Sequence, residues 1–591
     1  MIKRLALAAA IALAATGSAY AQGTPAQPWV ERSNSDAKVL LDAIARFQPE
    51  TATQLGLPGY DDKVIDLKPN SDARLRAAFV DARSKLQGML ATEKDTNVRQ
   101  DLQIMIKAAS LNIESIELND KYMLPYQDVG QLVFNGEFSL LRDEIDAKRR
   151  PNAVKRLECY VGTAPGCTPI IKLAEAQTVA RLSDKKLLGP YKGNVDQQLS
   201  NSQRYAQGIR QLFAKYKLDD AQAKAALDAM DAQLKDYDAW VRSTIVPRQR
   251  TDFRLPEPLY AYNLKAVGID ISPEELIKQA QLEFVEVRSA MQMMAPVVAK
   301  DEGIGSTDYR DVLKALKKQQ LGKNDVEPWY HNVIGKIEDI IRRQNIVTLP
   351  QREMQMRVAS DAEAANQPAP HMDPPPLINN HGERGTFVLT MGNPTEKGSS
   401  SEGSYDDFTF KAAAWTLTAH EGRPGHELQF SAMVERGVSL ARSVFAFNSV
   451  NVEGWALYAE SEMQPYEPPA GQFITLQFRL VRAARAFLDP MLNLGLISKE
   501  RAHDVLRYDV GLSEAMTNEE LDRFTFNSPG QATAYFYGYM RIQQLRLQTE
   551  LALGKDFNQK AFNDFIIGQG LLPPDQLAEA VRTQFIPSQK K

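Results

Sequence analysis

The sequence predicts a mainly α-helical fold with one small inserted β-sheet. Three observations predict it. Apolar residues recur at helical spacing in segment after segment. Serine and proline stand where several of those segments begin. Extended character is confined to about residues 346–390, where proline- and asparagine-rich loops break the helical rhythm. The 591 residues carry 43% hydrophobic and 24% charged side chains, ample material for a large core. The formal charge is −4 and no Lys/Arg block tracks a phosphate backbone, so nothing in the chain recruits nucleic acid or acidic lipid.

Taken in order, the chain opens on "MIKR", the apolar run "LALAAAIALAATG", and "SAYAQ" with Ala19 and Ala21 at small-residue positions. This is the pattern of a secretory signal peptide over residues 1–21, cut after Ala21. The apolar run is short for a membrane span and no cysteine follows it to take a lipid. Loss of Lys3 and Arg4 takes the formal charge from −4 to −6. The expectation is a secreted protein of a bacterial periplasm with no stable membrane insertion. Cys159 and Cys167, the only cysteines, bracket the turn-rich "YVGTAPG" and in an oxidising compartment predict a local disulfide.

Helical spacing follows over "SDAKVLLDAIARF", "DARLRAAFVDARSKLQGML", "NVRQDLQIMIKAASLNIES", "VGQLVFNGEFSLLRDEIDAKRR" and "TPIIKLAEAQTVARLSDKKL". With "NSQRYAQGIRQLFAKYKL" and "DDAQAKAALDAMDAQLKDYDAWVRSTIVP", these predict a helical N-terminal body over residues 22–247. The remainder, 248–591, opens on a long helix started by Ser272 and Pro273 and continues through "YHNVIGKIEDIIRRQN". "IVTLP", "EMQMRVAS" and "RGTFVLTM" read as strands, and helices resume at Phe408. The two regions are also compatible with one continuous unit.

Six histidines occur: His331, His371, His381, His420, His426 and His503. The stretch "AAAWTLTAHEGRPGHELQF" places His420 and His426 six apart, with Glu421 after the first. The familiar zinc helix has them four apart. On an unbroken helix six residues turn about 600 degrees, so the two rings would diverge by about 120 degrees. Pro424 and Gly425 permit a kink or bulge that returns His426 to the His420 face. Downstream, "EGWALYAE" carries Glu453 and Glu460 on one helix face, seven apart. Glu453 then completes a two-histidine, one-glutamate set of the hydrolytic zinc type, one Zn2+ per chain, with the fourth position left for water. Glu421 is the candidate general base, and Glu460 the residue that holds the far nitrogen of a ligand histidine.

"HEGRPGHELQ", "VEGWALYAE" and "NSPGQATAYFYGY" together resemble a large bacterial family catalogued as domain of unknown function 885, over nearly the whole mature chain. That family is itself similar, distantly, to helical gluzincin peptidases, so the resemblance implies a gluzincin-like helical peptidase fold. It also implies metal on His420, His426 and Glu453, with Glu421 as base. Two departures stand out. Glu427 occupies a place where relatives often have a second histidine, and Asn493 takes a histidine position in "FLDPMLNLGL".

"NSPGQATAYFYGYM" reads as a helix start with Ser528 as cap and Pro529 in the first turn. It carries Tyr535 and Tyr539 on one face. Tyr535 matches the family tyrosine and is the candidate oxyanion donor. Tyr539 is a substrate candidate. Arg479, Arg482 and Arg485 recur at three-residue spacing, and Arg482 is the candidate to grip a substrate or site carboxylate, against the reading of a solvated stripe. The leading functional expectation is a zinc-dependent peptidase hydrolysing short peptides, of oligopeptidase or carboxypeptidase type. The alternatives are a metal-dependent hydrolase of a non-peptide amide or ester, and a catalytically silent periplasmic binding protein.

Overall fold

The computed structural model describes residues 28–590 apart from 323, 361–362, 365–366, 368 and 392–404, so the leader expected over residues 1–21 lies outside the described residues. The fold is mainly helical with one three-stranded sheet. The chain forms two units. The first comprises Met1–Phe253, Pro375–Glu383 and Val434–Ala446; the second comprises Arg254–Pro374, Arg384–Met433 and Phe447–Lys591.

In the first unit, helix Pro28–Ala45 begins earlier than Ser35 and buries Ala37, Leu40, Leu41 and Ile44, a stripe of helical period. It joins Phe79 of Ser71–Thr92 and Leu102 and Met105 of Thr96–Tyr122 in one core. Asp95 caps the last of these, accepting from the amides of Asn97 and Val98. Two later segments enter this unit for identifiable reasons. Buried Asp101 accepts hydrogen bonds from Ser33, Ser439 and Arg442, which ties in Val434–Ala446, and Val444 fills the core beside it. The Ile378 amide donates to the Leu55 carbonyl, tying in Pro375–Glu383. The helix expected over 129–150 stops at Phe138. Cys159 lies near the end of helix Asn152–Val161, which Gly162 terminates at φ 78°. Cys159 and Cys167 form the disulfide, with Cα atoms 5.1 Å apart.

In the second unit, Ser272 caps the long helix Pro273–Glu302, accepting from the Glu275 amide at 3.2 Å, with Pro273 in the first turn. That helix packs along Pro469–Asn493. The sheet has the order β1-β3-β2, with β1 (Gln355–Val358) parallel and β2 (His371–Asp373) antiparallel to β3 (Thr386–Leu389). Phe387, Val388 and Leu389 of the central strand are fully buried. Two expectations are corrected. "IVTLP" forms no strand, because the Thr348 amide and hydroxyl both bind the Asp564 carboxylate, which removes the amide from any ladder. β2 lies instead in the proline-rich stretch that reads as a loop. Among the described residues no helix is long and apolar enough to cross a membrane.

Candidate metal centre

The first histidine sits at the end of helix Ala413–Glu421, buried along its whole length. The distortion that the spacing demands is a complete break. The helix stops at Glu421, Gly422–Gly425 make a turn, and a new helix, His426–Arg436, starts on the second histidine. Gly425 is obligatory here, since a Cβ on it would lie 1.9 Å from the His420 carbonyl oxygen. The turn is pinned from three sides. The Trp455 indole N–H donates to the Pro424 carbonyl at 2.9 Å. Buried Arg423 donates to Glu427 at 2.6 Å and to Glu338 at 2.8 Å, and also to the Arg352 carbonyl. Glu427 is thus committed to Arg423 and to the Ser431 hydroxyl.

Across this break the two imidazoles approach to 4.8 Å between centroids, with planes 80° apart. The helix Ser449–Met463, capped by Asn448, brings Glu453 and Glu460 to them. Its Gly454 lies against Gly538 of helix Ala534–Leu553, where a Cβ on Gly538 would fall 2.0 Å from the Val450 carbonyl oxygen. That backbone contact sets Glu453 and Tyr535 in one place.

Glu453 Oε2 lies 3.5 Å from Nε2 of His420 and 3.4 Å from Nε2 of His426. Both separations are long for a charge-assisted hydrogen bond of about 2.7–2.9 Å. They match the edge of a zinc tetrahedron, about 3.3–3.5 Å for bonds of 2.0–2.1 Å. Oε2 is buried and has no hydrogen-bond partner among the described residues. Two imidazole nitrogens and one carboxylate oxygen thus converge, and His420, His426 and Glu453 are the residues that could hold a divalent cation, a donor set of the type zinc takes. Glu421 Oε1 lies 3.8 Å from His420 Nε2, and donor atoms of His420, Glu421 and His426 all fall within 4.8 Å of one another.

Glu460 Oε1 lies 2.6 Å from Nδ1 of His420 and accepts from Arg482 at 3.1 Å, while its Oε2 accepts from Thr416 at 2.9 Å. His420 is therefore held as the tautomer whose Nε2 faces Glu453. His426 Nδ1 has no hydrogen-bond partner among the described residues, so that ring is held by packing and by Nε2 facing Glu453. Burial pushes the Glu421 carboxyl up to about 8, against the opposing pull of His426. Burial acts in the same sense on Glu453, but the two imidazoles outweigh it and hold that carboxyl well below the usual range.

The Tyr535 ring lies parallel to His420, 13° between planes and 6.1 Å between centroids, and its hydroxyl accepts from Arg523 at 3.0 Å. Tyr539 is not drawn in; it packs under Arg479, and its hydroxyl accepts from Gln543 at 3.2 Å. Arg482 and Arg485 are buried rather than a solvated stripe, on Glu460 and Glu520 respectively. Asn493 is buried and donates to the Asp489 side chain and to the carbonyls of Asp489 and Phe524. Ser528 does not cap a helix. Gly530 turns left-handed at φ 91°, buried Asp489 takes its amide at 2.9 Å, and the α-helix starts at Ala534. The sequence reading does not reach Arg423, Gly538 or Arg523, and takes Trp455 for core alone. Only Gly538, which sits in the "YFYGY" run among large residues, left a signal of close backbone approach.

A family model described as "Bacterial protein of unknown function (DUF885)" matches residues 49–581. Among curated proteins none matches the chain. Solved structures share the fold, two of them bacterial proteins at 18% identity. One is "the putative lipoprotein from Colwellia psychrerythraea", at TM-score 0.73 and 18% identity, covering 95% of this chain and 98% of that one. The other is "a putative lipoprotein of unknown function from Shewanella oneidensis", at TM-score 0.70 and 18% identity, covering 94% of this chain and 100% of that one.

Proposed function

The chain belongs to the DUF885 family of bacterial proteins, and from that premise we propose that it is a zinc-dependent peptidase acting on short peptides. The observation that carries the reading is the buried Glu453 Oε2, at tetrahedral-edge distance from both imidazoles and without a hydrogen-bond partner among the described residues. The distant resemblance of the family to helical gluzincin peptidases, drawn from the sequence motifs alone, agrees with this reading. A divalent cation held by His420, His426 and Glu453 supplies Lewis acidity toward the attacked carbonyl and the attacking water.

The chain's own residues do the rest. Glu421 would accept a proton from the water and return it to the leaving nitrogen. Glu460 keeps the proton of His420 on Nδ1, so Nε2 presents its lone pair. Tyr535, whose oxygen already accepts from Arg523, keeps its own proton for the developing oxyanion. His420 is 3% and Glu421 8% exposed, which disfavours the surface of a folded protein as substrate. The leader-type N-terminus, the disulfide and the lipoprotein description of the structural relatives support an extracytoplasmic, periplasmic location.

Metal content and turnover on a mixed peptide library test the reading together. The expected result is one zinc per chain and cleavage. Glu421→Gln keeps the zinc and loses about 10²–10⁴ in kcat. His426→Ala loses the zinc. Full turnover by Glu421→Gln, or full zinc occupancy in His426→Ala, contradicts it.

A further inference from the structure

The two imidazoles of the candidate centre are supported unequally. Nδ1 of His420 is held by Glu460, whereas Nδ1 of His426 is buried and has no hydrogen-bond partner among the described residues. A histidine that meets a cation through Nε2 carries its proton on Nδ1, and that N–H is ordinarily given to an acceptor. A buried donor without one is costly.

One turn along the same helix lies the complementary group. Gln429 is 3% exposed, and its Oε1 is a buried acceptor with no hydrogen-bond partner among the described residues. His426 and Gln429 stand three apart in helix His426–Arg436, a spacing that makes side chains neighbours. Both are turned to the same facing helix, Ser449–Met463. His426 Nε2 lies 3.4 Å from Glu453 of that helix, and Gln429 Nε2 donates to Asn451 Oδ1 of the same helix at 3.0 Å.

The neighbours also decide which way the Gln429 amide points. Asn451 Nδ2 donates to the Leu572 carbonyl at 2.8 Å, which leaves Asn451 Oδ1 as an acceptor. Asn451 is itself fixed, because its backbone amide donates to Asn448 Oδ1 at 2.8 Å. Gln429 therefore gives its NH2 to Asn451 and keeps its oxygen for another donor. An unused donor and an unused acceptor thus stand one turn apart on one helix face, both withdrawn from water.

We propose that Gln429 is the positioning residue of His426: its Oε1 takes the Nδ1 proton, directly or through one water, and so fixes Nε2 as the nitrogen that faces Glu453 and the cation. The inference rests on the metal reading and extends it to the second imidazole. Glu460 holds the proton of His420 with a carboxylate, and Gln429 holds that of His426 with a neutral amide. Asn451 and the Leu572 carbonyl orient Gln429, as Thr416 and Arg482 orient Glu460.

A crystal structure of the zinc-loaded, full-length protein tests it without any variant. Gln429 Oε1 should lie within about 3.2 Å of His426 Nδ1, or one ordered water should lie within that reach of both. Competition with a chelator supplies a second readout. Gln429→Met, which removes the acceptor at similar volume, should lower zinc affinity about 10–100-fold. Asn451→Leu breaks the same Gln429–Asn451 hydrogen bond but leaves Oε1 in place, and should lose far less. Gln429→Glu, which restores an acceptor, should recover most of what Gln429→Met loses. A zinc-loaded structure with neither contact nor bridging water, or equal losses in Gln429→Met and Asn451→Leu, would overturn the inference. If the wild-type protein takes up no zinc, the metal reading fails, and crystals of the metal-free protein still decide whether Gln429 Oε1 meets His426 Nδ1.

Discussion

At His420 both ends of the imidazole are engaged: Nδ1 by Glu460 at 2.6 Å, and Nε2 facing Glu453 at 3.5 Å. Glu460 touches no reacting atom, yet it fixes which nitrogen keeps the proton, with Thr416 and Arg482 fixing Glu460 in turn. Glu460→Gln should therefore lower zinc affinity about 10–100-fold, read by competition with a chelator; unchanged affinity would remove it from this role. At this scale the chemistry-bearing residues were legible, because His420, Glu421, His426, Glu453 and Glu460 are rare types at meaningful spacings. Their supports were not. The Trp455 indole reads as core until Pro424, 31 residues away in sequence, offers it a carbonyl. Arg523 is one of many arginines until Tyr535, 12 residues away in sequence, accepts its N–H.

Between elements, glycine decides the approach of the Ser449–Met463 and Ala534–Leu553 helices, and so the position of Glu453. Gly538→Ala would drive a methyl group into the Val450 carbonyl and should cost about 1–3 kcal/mol of stability in denaturant titration, with weakened zinc binding. Gly335→Ala is the contrast, because a Cβ there, in the exposed face of helix Val326–Gln344, meets nothing within 4 Å. It should stabilise by roughly 0.5–1 kcal/mol and leave zinc binding alone. Equal effects of the two would contradict a helix crossing set by backbone contact. Helical segments were legible from period and caps, as at Ser272 and Pro273. Two of the misread elements share one cause: a distant group took a local backbone donor. Asp564 claims the Thr348 amide, and Asp489 claims that of Gly530.

Across the whole molecule, burial raises several carboxyls: Asp128 to about 6, Asp489 and Glu519 to about 7, and Glu421 and Glu467 to about 8. A carboxyl raised by folding holds its proton in the native state after the unfolded chain has released it. Stability from Glu467 is thus full below its ordinary 4.5 and falls as pH rises toward about 8, by at most about 1.4 kcal/mol per pH unit. The metal-free protein should lose thermal stability between pH 6 and 8.5, and Glu467→Gln should flatten that loss; a variant with the wild-type slope would refute the assignment. Composition and periodicity made the helical class legible at this scale. The inclusion of Pro375–Glu383 and Val434–Ala446 in the first unit was not, since it depends on Asp101 and Leu55 finding partners more than 300 residues on. The central claim is that a broken helix turns two imidazoles and one carboxylate onto a single cation. Anomalous diffraction at the zinc edge from zinc-loaded crystals tests it most directly. The account predicts one strong peak, about 2.0–2.2 Å from Nε2 of His420, Nε2 of His426 and Oε2 of Glu453; no peak between those three atoms at saturating zinc would contradict it.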